Sequence, residues 1–166
     1  MNRIISALFI FLSVTMTAYG ANITADMTSE QSSASMKSNL AKDSLLLDIK
    51  KISENKLVAV GEYGHILTST DGINWSQSSV PVQTTLTSVY FHDELLGWAV
   101  GHDATVLHTV DGGNSWLIQH YQPELDKPLL DVTFINSLEG IAVGAYGLAL
   151  RTIDGGQSWK SEFHPD

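Results

Sequence analysis

From residue 45 onward, hydrophobic residues occur in short runs of five to seven, separated by Gly and Asp. Residues 86–128 contain the runs LTSVYF, GWAVG, TVLHTV and SWLIQHY, and residues 129–166 contain LLDVTFI, GIAVG, LALRTI and SWKSEF. The runs are rich in Val, Ile, Thr and aromatic residues, and none keeps a period of about 3.6 over three turns. This pattern predicts four short β-strands, joined by tight turns, in each segment.

Two motifs recur in phase along the chain. The first reads AVGEYG, AVGHDA and AVGAYG, and its glycines at 61, 101 and 144 are 40 and then 43 residues apart. The second reads STDGINW, TVDGGNSW and TIDGGQSW. A period of about 40 to 45 residues is typical of propeller blades or of helical repeats, and the strand pattern favours the blade. We therefore predict an all-β fold, a β-propeller of three four-stranded antiparallel blades in an incomplete ring, with blades at 45–85, 86–128 and 129–166.

The second motif is predicted to form the turn between the third and fourth strands of each blade. In its second copy, Asp111 can accept hydrogen bonds from turn amides, Gly113 allows a positive φ, and Trp116 can bury its ring. The turn motif occurs once in each of the three predicted blades, and catalytic motifs are seldom repeated at an even period. A structural role is therefore favoured over a catalytic or metal-binding one. The predicted turn residues are Ser69, Asp71, Gly72 and Trp75 in the first copy, Thr109, Asp111, Gly113, Ser115 and Trp116 in the second, and Thr152, Asp154, Gly156, Ser158 and Trp159 in the third.

The two longer copies fit the Asp-box pattern Ser/Thr-x-Asp-x-Gly-x-Ser/Thr-Trp. STDGINW is one residue shorter and has Asn74 in place of Ser or Thr, so its turn is expected to differ in shape. Together with AVGxxG and DVTFINSLEGIAVG, these motifs make residues 45–166 resemble the Ycf48/HCF136-like family of photosystem II stability and assembly factors. The resemblance implies a non-catalytic scaffold that binds protein partners during assembly of a membrane complex. Asp-boxes also occur in sialidases and other glycosidases, so a carbohydrate-active propeller, either a glycosidase or a glycan binder, is the alternative.

The amino-acid composition limits which partners and which kinds of catalytic or metal site the chain can have. The 166 residues include 9 Lys and Arg, 18 Asp and Glu and no Cys, and the formal net charge is −9. This balance argues against nucleic acid as a partner, and the lack of Cys excludes disulfides and thiolate chemistry. A sialidase would need an arginine cluster, but Arg3 and Arg151 are the only arginines. No third ligand at a recognisable spacing accompanies His102, Asp103 and His108. We therefore predict no catalytic residue, metal site or cofactor.

The N-terminal region is predicted to be a targeting segment. Arg3 precedes an apolar run at 4–16, and the small residues of AYG at 18–20 suit cleavage, so residues 1–20 are predicted to be a signal peptide. Retention of this segment as a membrane anchor and a buried helix are the alternatives. Residues 21–44 are rich in Ser and Ala and are predicted to be a flexible linker. Export to a periplasm is expected, or to a thylakoid lumen in a photosynthetic host.

The turns between the second and third strands are predicted to lie at the end of each blade opposite the Asp-boxes. Exposed Tyr and His residues there favour contact with a protein partner, and ordinary solvated turns are the alternative. The resemblance adds the arginine that often precedes an Asp-box in the family. The predicted contact residues are Glu62, Tyr63, His102, Asp103, Tyr146 and Arg151.

The number of blades raises a separate question. Known propellers close with about four to eight blades, and this chain contains three and no additional strand to close a ring. Three explanations stay open. The chain is a partial member of a longer family, it self-associates so that two copies complete a six-bladed ring, or it stands as an open arc.

Overall fold

The structure is a computed structural model that describes residues 33–162. Within these residues, three four-stranded antiparallel sheets follow one another along the chain, each with its strands in sequence order. The predicted all-β fold of propeller blades is confirmed. Blade 1 contains β1 (Leu46–Ser53), β2 (Lys56–Gly61), β3 (Ile66–Ser69) and β4 (Trp75–Gln77), blade 2 contains β5 (Leu86–Phe91), β6 (Gly97–Gly101), β7 (Val106–Thr109) and β8 (Leu117–His120), and blade 3 contains β9 (Leu129–Phe134), β10 (Gly140–Gly144), β11 (Ala149–Thr152) and β12 (Lys160–Ser161).

Helical structure in the described part of the chain is limited to four single turns of 3-10 helix. None of the described helices is long and apolar enough to cross a membrane. The predicted signal peptide and the first part of the predicted linker, residues 21–32, lie outside the described residues. The four turns are Ala41–Asp43, Glu62–Gly64, Pro123–Leu125 and Ala145–Gly147.

The hydrophobic core lies between neighbouring blades and forms two clusters. The second strand of blade 2, β6, contributes side chains to both clusters. Ala99 packs in the cluster shared with blade 1, and its neighbours Trp98 and Val100 pack in the cluster shared with blade 3. Successive side chains of a strand point to opposite faces, so a strand with a blade on each side is apolar throughout. GWAVG is accordingly buried at all five positions.

The glycine of each AVG motif allows two backbone segments to approach closely. A Cβ atom on Gly61, Gly101 or Gly144 would overlap the carbonyl oxygen of the residue that precedes the first strand of the same blade. In blade 2 that oxygen belongs to Thr85, and it accepts a hydrogen bond of 2.9 Å from the amide of His102. The motif therefore fixes where the chain enters each blade.

Residues 33–44, which the sequence analysis assigns to a linker, are hydrogen bonded to blade 1. The amide of Ser35 donates to the carbonyl of Val80 at 2.9 Å. The Gln77 side chain donates from Nε2 to the Met36 carbonyl at 2.9 Å and accepts at Oε1 from the Ser38 amide at 2.9 Å. Ala41 is 2% exposed. This segment is thus part of the packing of blade 1.

Burial lowers the pKa of three histidines, His65, His108 and His120, below the usual value of 6.5. One ring nitrogen of each is buried without a hydrogen-bond partner among the described residues. Desolvation penalises the imidazolium form, so each folded-state pKa is lower than the unfolded value.

We expect the stability of the protein to fall as the pH decreases below about 6.5. Since the unfolded state then binds more protons than the folded state, the free energy of unfolding is highest above this pH and is lost as pH falls through the folded pKa values. Thermal melts between pH 8 and pH 5 measure the effect. The double variant His108→Gln, His120→Gln should show a flatter profile, and an equally steep profile would rule out these two histidines as its cause.

Candidate functional site

The Asp-box of blade 2 is a closed network of hydrogen bonds around one carboxylate. Oδ1 of Asp111 accepts from the amides of Asn114 and Ser115, both at 3.0 Å, and Oδ2 accepts from the Ser115 hydroxyl at 2.6 Å. The Thr109 hydroxyl donates to Oδ1 at 2.8 Å and accepts from the Gly113 amide at 3.0 Å. Gly113 has φ +85°, a conformation that glycine adopts without steric cost.

The box of blade 3 repeats this scheme, and the box of blade 1 departs from it in two ways. In blade 3, Asp154 accepts from the amide and the hydroxyl of Ser158, at 2.9 and 2.6 Å. In blade 1, the side-chain amide of Asn74 replaces the hydroxyl and donates to Oδ2 of Asp71 at 2.7 Å. The Ser69 hydroxyl there accepts from the amide three residues on, whereas Thr109 and Thr152 accept from the amide four residues on. The shorter first turn therefore differs in shape.

These hydrogen bonds lower the pKa of the box carboxylates below the usual value for aspartate. Donors from Ser158 and Thr152 lower the pKa of Asp154 to about 2. Burial raises the pKa of Asp111, but hydrogen bonds from Ser115, Thr109 and Asn114 outweigh it and the net shift is downward. A general acid or base needs a pKa near the working pH and a free oxygen for its substrate. The box carboxylates are thus suited to holding turns.

Trp116 of the blade 2 box is a core residue. It is 3% exposed, its Nε1 donates to the Gly113 carbonyl at 3.1 Å, and its ring meets Phe91 edge-on with centroids 6.0 Å apart. Trp159 meets Phe134 edge-on at 5.9 Å. Trp116 is thus part of the core, and Trp159 packs against the core.

Replacing Asp111 by alanine is expected to lower the free energy of unfolding by about 2 kcal/mol, because several turn donors lose their acceptor. Ser115→Ala, which removes one donor, should cost about 1 kcal/mol. Urea denaturation followed by circular dichroism measures both. Glu94→Ala, an exposed acidic residue at the same end of blade 2, is the control and should change stability by less than about 0.5 kcal/mol. Equal effects of Asp111→Ala and Glu94→Ala would contradict the structural role.

A second acidic feature links the first strands of the three blades. The Ser88 hydroxyl lies 3.1 Å from Oδ2 of Asp48 and 2.9 Å from Oδ1 of Asp131. The amide of Val89 also donates to Asp48, at 3.0 Å, and the amide of Val132 donates to Asp131, at 2.8 Å. The carboxylates of Asp48 and Asp131 thus share the Ser88 hydroxyl, and each accepts a hydrogen bond from the amide of a strand residue. No group of three His, Cys, Asp or Glu that could hold a metal ion occurs within residues 33–162.

The opposite end of each blade carries turns with left-handed residues. Tyr63 has φ +57° and is 62% exposed, and Tyr146 has φ +55° and is 79% exposed. In blade 2, Asp103 and Ala104 have φ +58° and +50°. A non-glycine residue in this region costs about 1 kcal/mol or more. Burial of the Tyr63 and Tyr146 rings does not offset this cost, because both rings are largely exposed. The turns therefore present two exposed aromatic rings.

The remaining predicted contact residues occupy different environments. His102 is exposed in the blade 2 turn, whereas Glu62 is half-buried and accepts from the Leu45 amide at 2.9 Å. Arg151 lies in strand β11, where it forms an ion pair of 4.0 Å with Glu139. The structure therefore brings Glu62 and Tyr63 together in one turn and His102 and Asp103 in another, and it separates Arg151 from all of these turns.

Sequence reasoning missed a cavity beside Tyr63. Its volume is about 250 Å³, and the Tyr63 and His65 rings that line it have centroids 6.0 Å apart. Half of its walls come from the segment at 33–44, whose composition carries no signal for a site. The other lining residues are Met36, Ser38, Ser44 and Gln83.

Comparison with known proteins assigns the family. The sequence model of the photosynthesis system II assembly factor YCF48 family matches residues 73–162. The chain belongs to this family. No match was found among curated protein sequences.

Solved structures agree with membership of the YCF48 family. A structure described as YCF48 bound to D1 peptide has 25% identity and a TM-score of 0.62, and the match covers 71% of this chain and 40% of that one. YCF48 from Cyanidioschyzon merolae has 26% identity and a TM-score of 0.59, with coverage of 71% and 39%. The chain thus spans about two fifths of the length of these structures. An ancestral GH74 enzyme, at 15% identity, TM-score 0.58 and coverage of 71% and 18%, shares the fold.

Proposed function

We propose that this YCF48-family chain is an exported, non-catalytic scaffold that binds a protein partner during assembly of a membrane protein complex, which is photosystem II in a host that makes one. The observation that carries the proposal is family membership together with a structurally similar YCF48 that binds a D1 peptide. Because the chain spans 40% of that structure, the partner and the role are inferred from the family and from the surfaces that this chain retains.

The turns between the second and third strands are the surface best suited to this role. The Tyr63 and Tyr146 rings combine apolar area with a hydroxyl group, and tyrosine is enriched in protein interfaces for this reason. Their left-handed turns follow the glycines of the AVG motif, whose close backbone contacts fix the turn. A surface that is ordered before binding loses little conformational entropy when the partner docks.

The box ends of the blades are poorly suited to the same role. Each box carboxylate has its oxygens engaged by amides and hydroxyls of its own turn, so little hydrogen-bonding capacity remains for a partner. The GH74 likeness concerns the fold, and the carboxylates of Asp48 and Asp131 are held by strand amides. These features therefore favour binding of a protein partner at the opposite turns over hydrolysis of a glycan at the box ends.

The test is a titration of a fluorescent D1 peptide with the full chain, followed by anisotropy, with a scrambled peptide as the control. We expect saturable binding of the D1 peptide and none of the scrambled one. A panel of glycan substrates is assayed in parallel, and we expect no hydrolysis. Turnover of a glycan without peptide binding would overturn the proposal.

A further inference from the structure

The turn between the second and third strands is closed by the same hydrogen bonds in all three blades. The fourth residue after each AVG glycine donates its amide to the carbonyl three residues earlier, at 3.0 to 3.1 Å, and its own carbonyl accepts from the amide of that glycine. We call it the closing residue, because it joins the two ends of the turn. The closing residues are His65, Thr105 and Leu148.

The closing residues differ in whether they can ionise. All three side chains are buried, with His65 5%, Thr105 0% and Leu148 7% exposed. Imidazole takes up a proton near pH 6.5 in its ordinary state, whereas the side chains of threonine and leucine have no group that titrates in this range. The three turns therefore share their hydrogen bonds and differ in their expected response to acid.

The surroundings of His65 fit a neutral imidazole ring. Nδ1 is buried and has no hydrogen-bond partner among the described residues. A protonated ring carries an N–H on both nitrogens, so protonation would leave a buried N–H without an acceptor, which is unfavourable. Burial accordingly lowers the pKa of His65, and the charge of Glu62 offsets only part of this effect.

Glu62 is the charged residue that acts on His65. Among the described residues, the elements packed against the turn bring no other charge to the ring. Residues 80–83 and β5 contain one ionisable side chain, Tyr90, whose hydroxyl donates to the Phe134 carbonyl in blade 3. The ionisable residues of the segment at 33–44 do not line the cavity beside Tyr63, and they are Lys37, Lys42 and Asp43.

The position of Tyr63 couples this histidine to the surface of the protein. The Tyr63 and His65 rings have centroids 6.0 Å apart and line the same cavity of about 250 Å³. Tyr63 has φ +57°, a conformation that is costly for a residue other than glycine. The closing hydrogen bonds hold it there, so a protonated His65 that moves toward water would release the conformation of Tyr63 as well.

We propose that the Tyr63 turn, residues 61–65, is a pH-sensitive switch in which protonation of His65 opens the turn and weakens partner binding there. The Tyr146 turn, residues 144–148, stays closed because its closing residue is Leu148. This regulation rests on the proposed function, since it concerns the same partner-binding surface.

Hydrogen exchange of two backbone amides tests the opening of the turn without any partner. NMR gives protection factors, corrected for the effect of pH on the chemical exchange rate, for the amides of residues 65 and 148 in the full chain at pH 7.5 and pH 5. We expect protection at His65 to fall at least about threefold relative to Leu148 in acid. In His65→Leu the two amides should keep a constant ratio. Equal changes at both amides of the native chain, or the same relative fall in the variant, would overturn the proposal.

The variant is matched to the molecule itself, because leucine is the closing residue of blade 3. His65→Thr, which introduces the closing residue of blade 2, is the second uncharged variant. It should behave as His65→Leu does, and it keeps the test valid where the larger leucine disturbs packing in blade 1. A pH-dependent opening that persists in both variants would exclude His65 as the titrating group.

Affinity for the D1 peptide at the two pH values measures the consequence for binding. We expect the native chain to lose at least about threefold more affinity at pH 5 than His65→Leu does, since a partner binds the closed fraction. Protonation of the peptide itself affects both proteins equally. Equal losses in the two proteins would contradict regulation by His65. Absence of binding at both pH values would instead contradict the proposed function, and hydrogen exchange would still decide whether the turn opens.

Discussion

Replacing Trp98 by alanine is expected to lower the free energy of unfolding by about 3 to 5 kcal/mol. Trp98 is 0% exposed, and its ring stacks on Phe134 of blade 3 with centroids 3.6 Å apart. Its Nε1 donates to Oε1 of Gln119 at 3.1 Å, and Nε2 of Gln119 donates to the Gly155 carbonyl at 3.0 Å. The substitution would thus remove the largest side chain between blades 2 and 3 and one end of a hydrogen-bonded chain that connects them.

Urea denaturation measures this effect, and two further variants make it specific. Trp98→Phe keeps the ring stacking and removes the indole N–H, so it should cost about 1 to 2 kcal/mol. Leu117→Ala, at a side chain 71% exposed on β8, should change stability by less than about 0.5 kcal/mol. A loss below about 1 kcal/mol for Trp98→Ala would mean that blades 2 and 3 are not held together as described.

The second large effect is expected for Gly101→Ala, which should cost about 3 kcal/mol or more. The new Cβ would overlap the carbonyl oxygen of Thr85, which also accepts the His102 amide. Both partners are backbone, so relief requires moving the entry of β5. Gly147→Ala is the matched control, because Gly147 has φ +72° and a Cβ atom added there would meet no atom within 4 Å among the described residues.

The control should cost only about 1 kcal/mol, from placing alanine in a left-handed conformation. The two glycines lie in copies of the same repeated motif. Comparing them separates the cost of a clash with the Thr85 carbonyl, at Gly101, from the cost of a left-handed backbone conformation, at Gly147. Thermal melts of the two variants measure it. Similar losses for Gly101→Ala and Gly147→Ala would contradict the close approach of Thr85 as the reason for the glycine of the AVG motif.

Much of the fold could be predicted from the repeats. Strand-length apolar runs and two motifs in phase were enough to predict four-stranded antiparallel blades. These features are local, because the residues that form each hairpin and each box are neighbours along the chain. Local signals of this kind survive in a single sequence.

Contacts between distant parts of the chain could not be predicted. The bridge from Asp48 through Ser88 to Asp131 joins equivalent positions of the three blades, 40 and 43 residues apart, and the repeat period alone does not indicate that side chains at these positions meet. The hydrogen bond between Ser35 and Val80 likewise involves a segment whose Ser- and Ala-rich composition suggested a linker. The left-handed conformation of Tyr63 was also not foreseen, because aromatic residues seldom adopt it.

Peptide binding by turn variants tests the central claim most directly, which is that the turns opposite the Asp-boxes bind the partner. The measurement is the affinity for the D1 peptide of the native chain, the double variant Tyr63→Asn, Tyr146→Asn and Asp111→Ala, each with its melting temperature. Asparagine tolerates the left-handed conformation, so the turns should keep their shape. We predict that the double variant loses at least tenfold in affinity at an unchanged melting temperature, and that Asp111→Ala melts lower yet binds normally while folded. Normal binding by the double variant, with binding lost by a folded Asp111→Ala, would contradict the account.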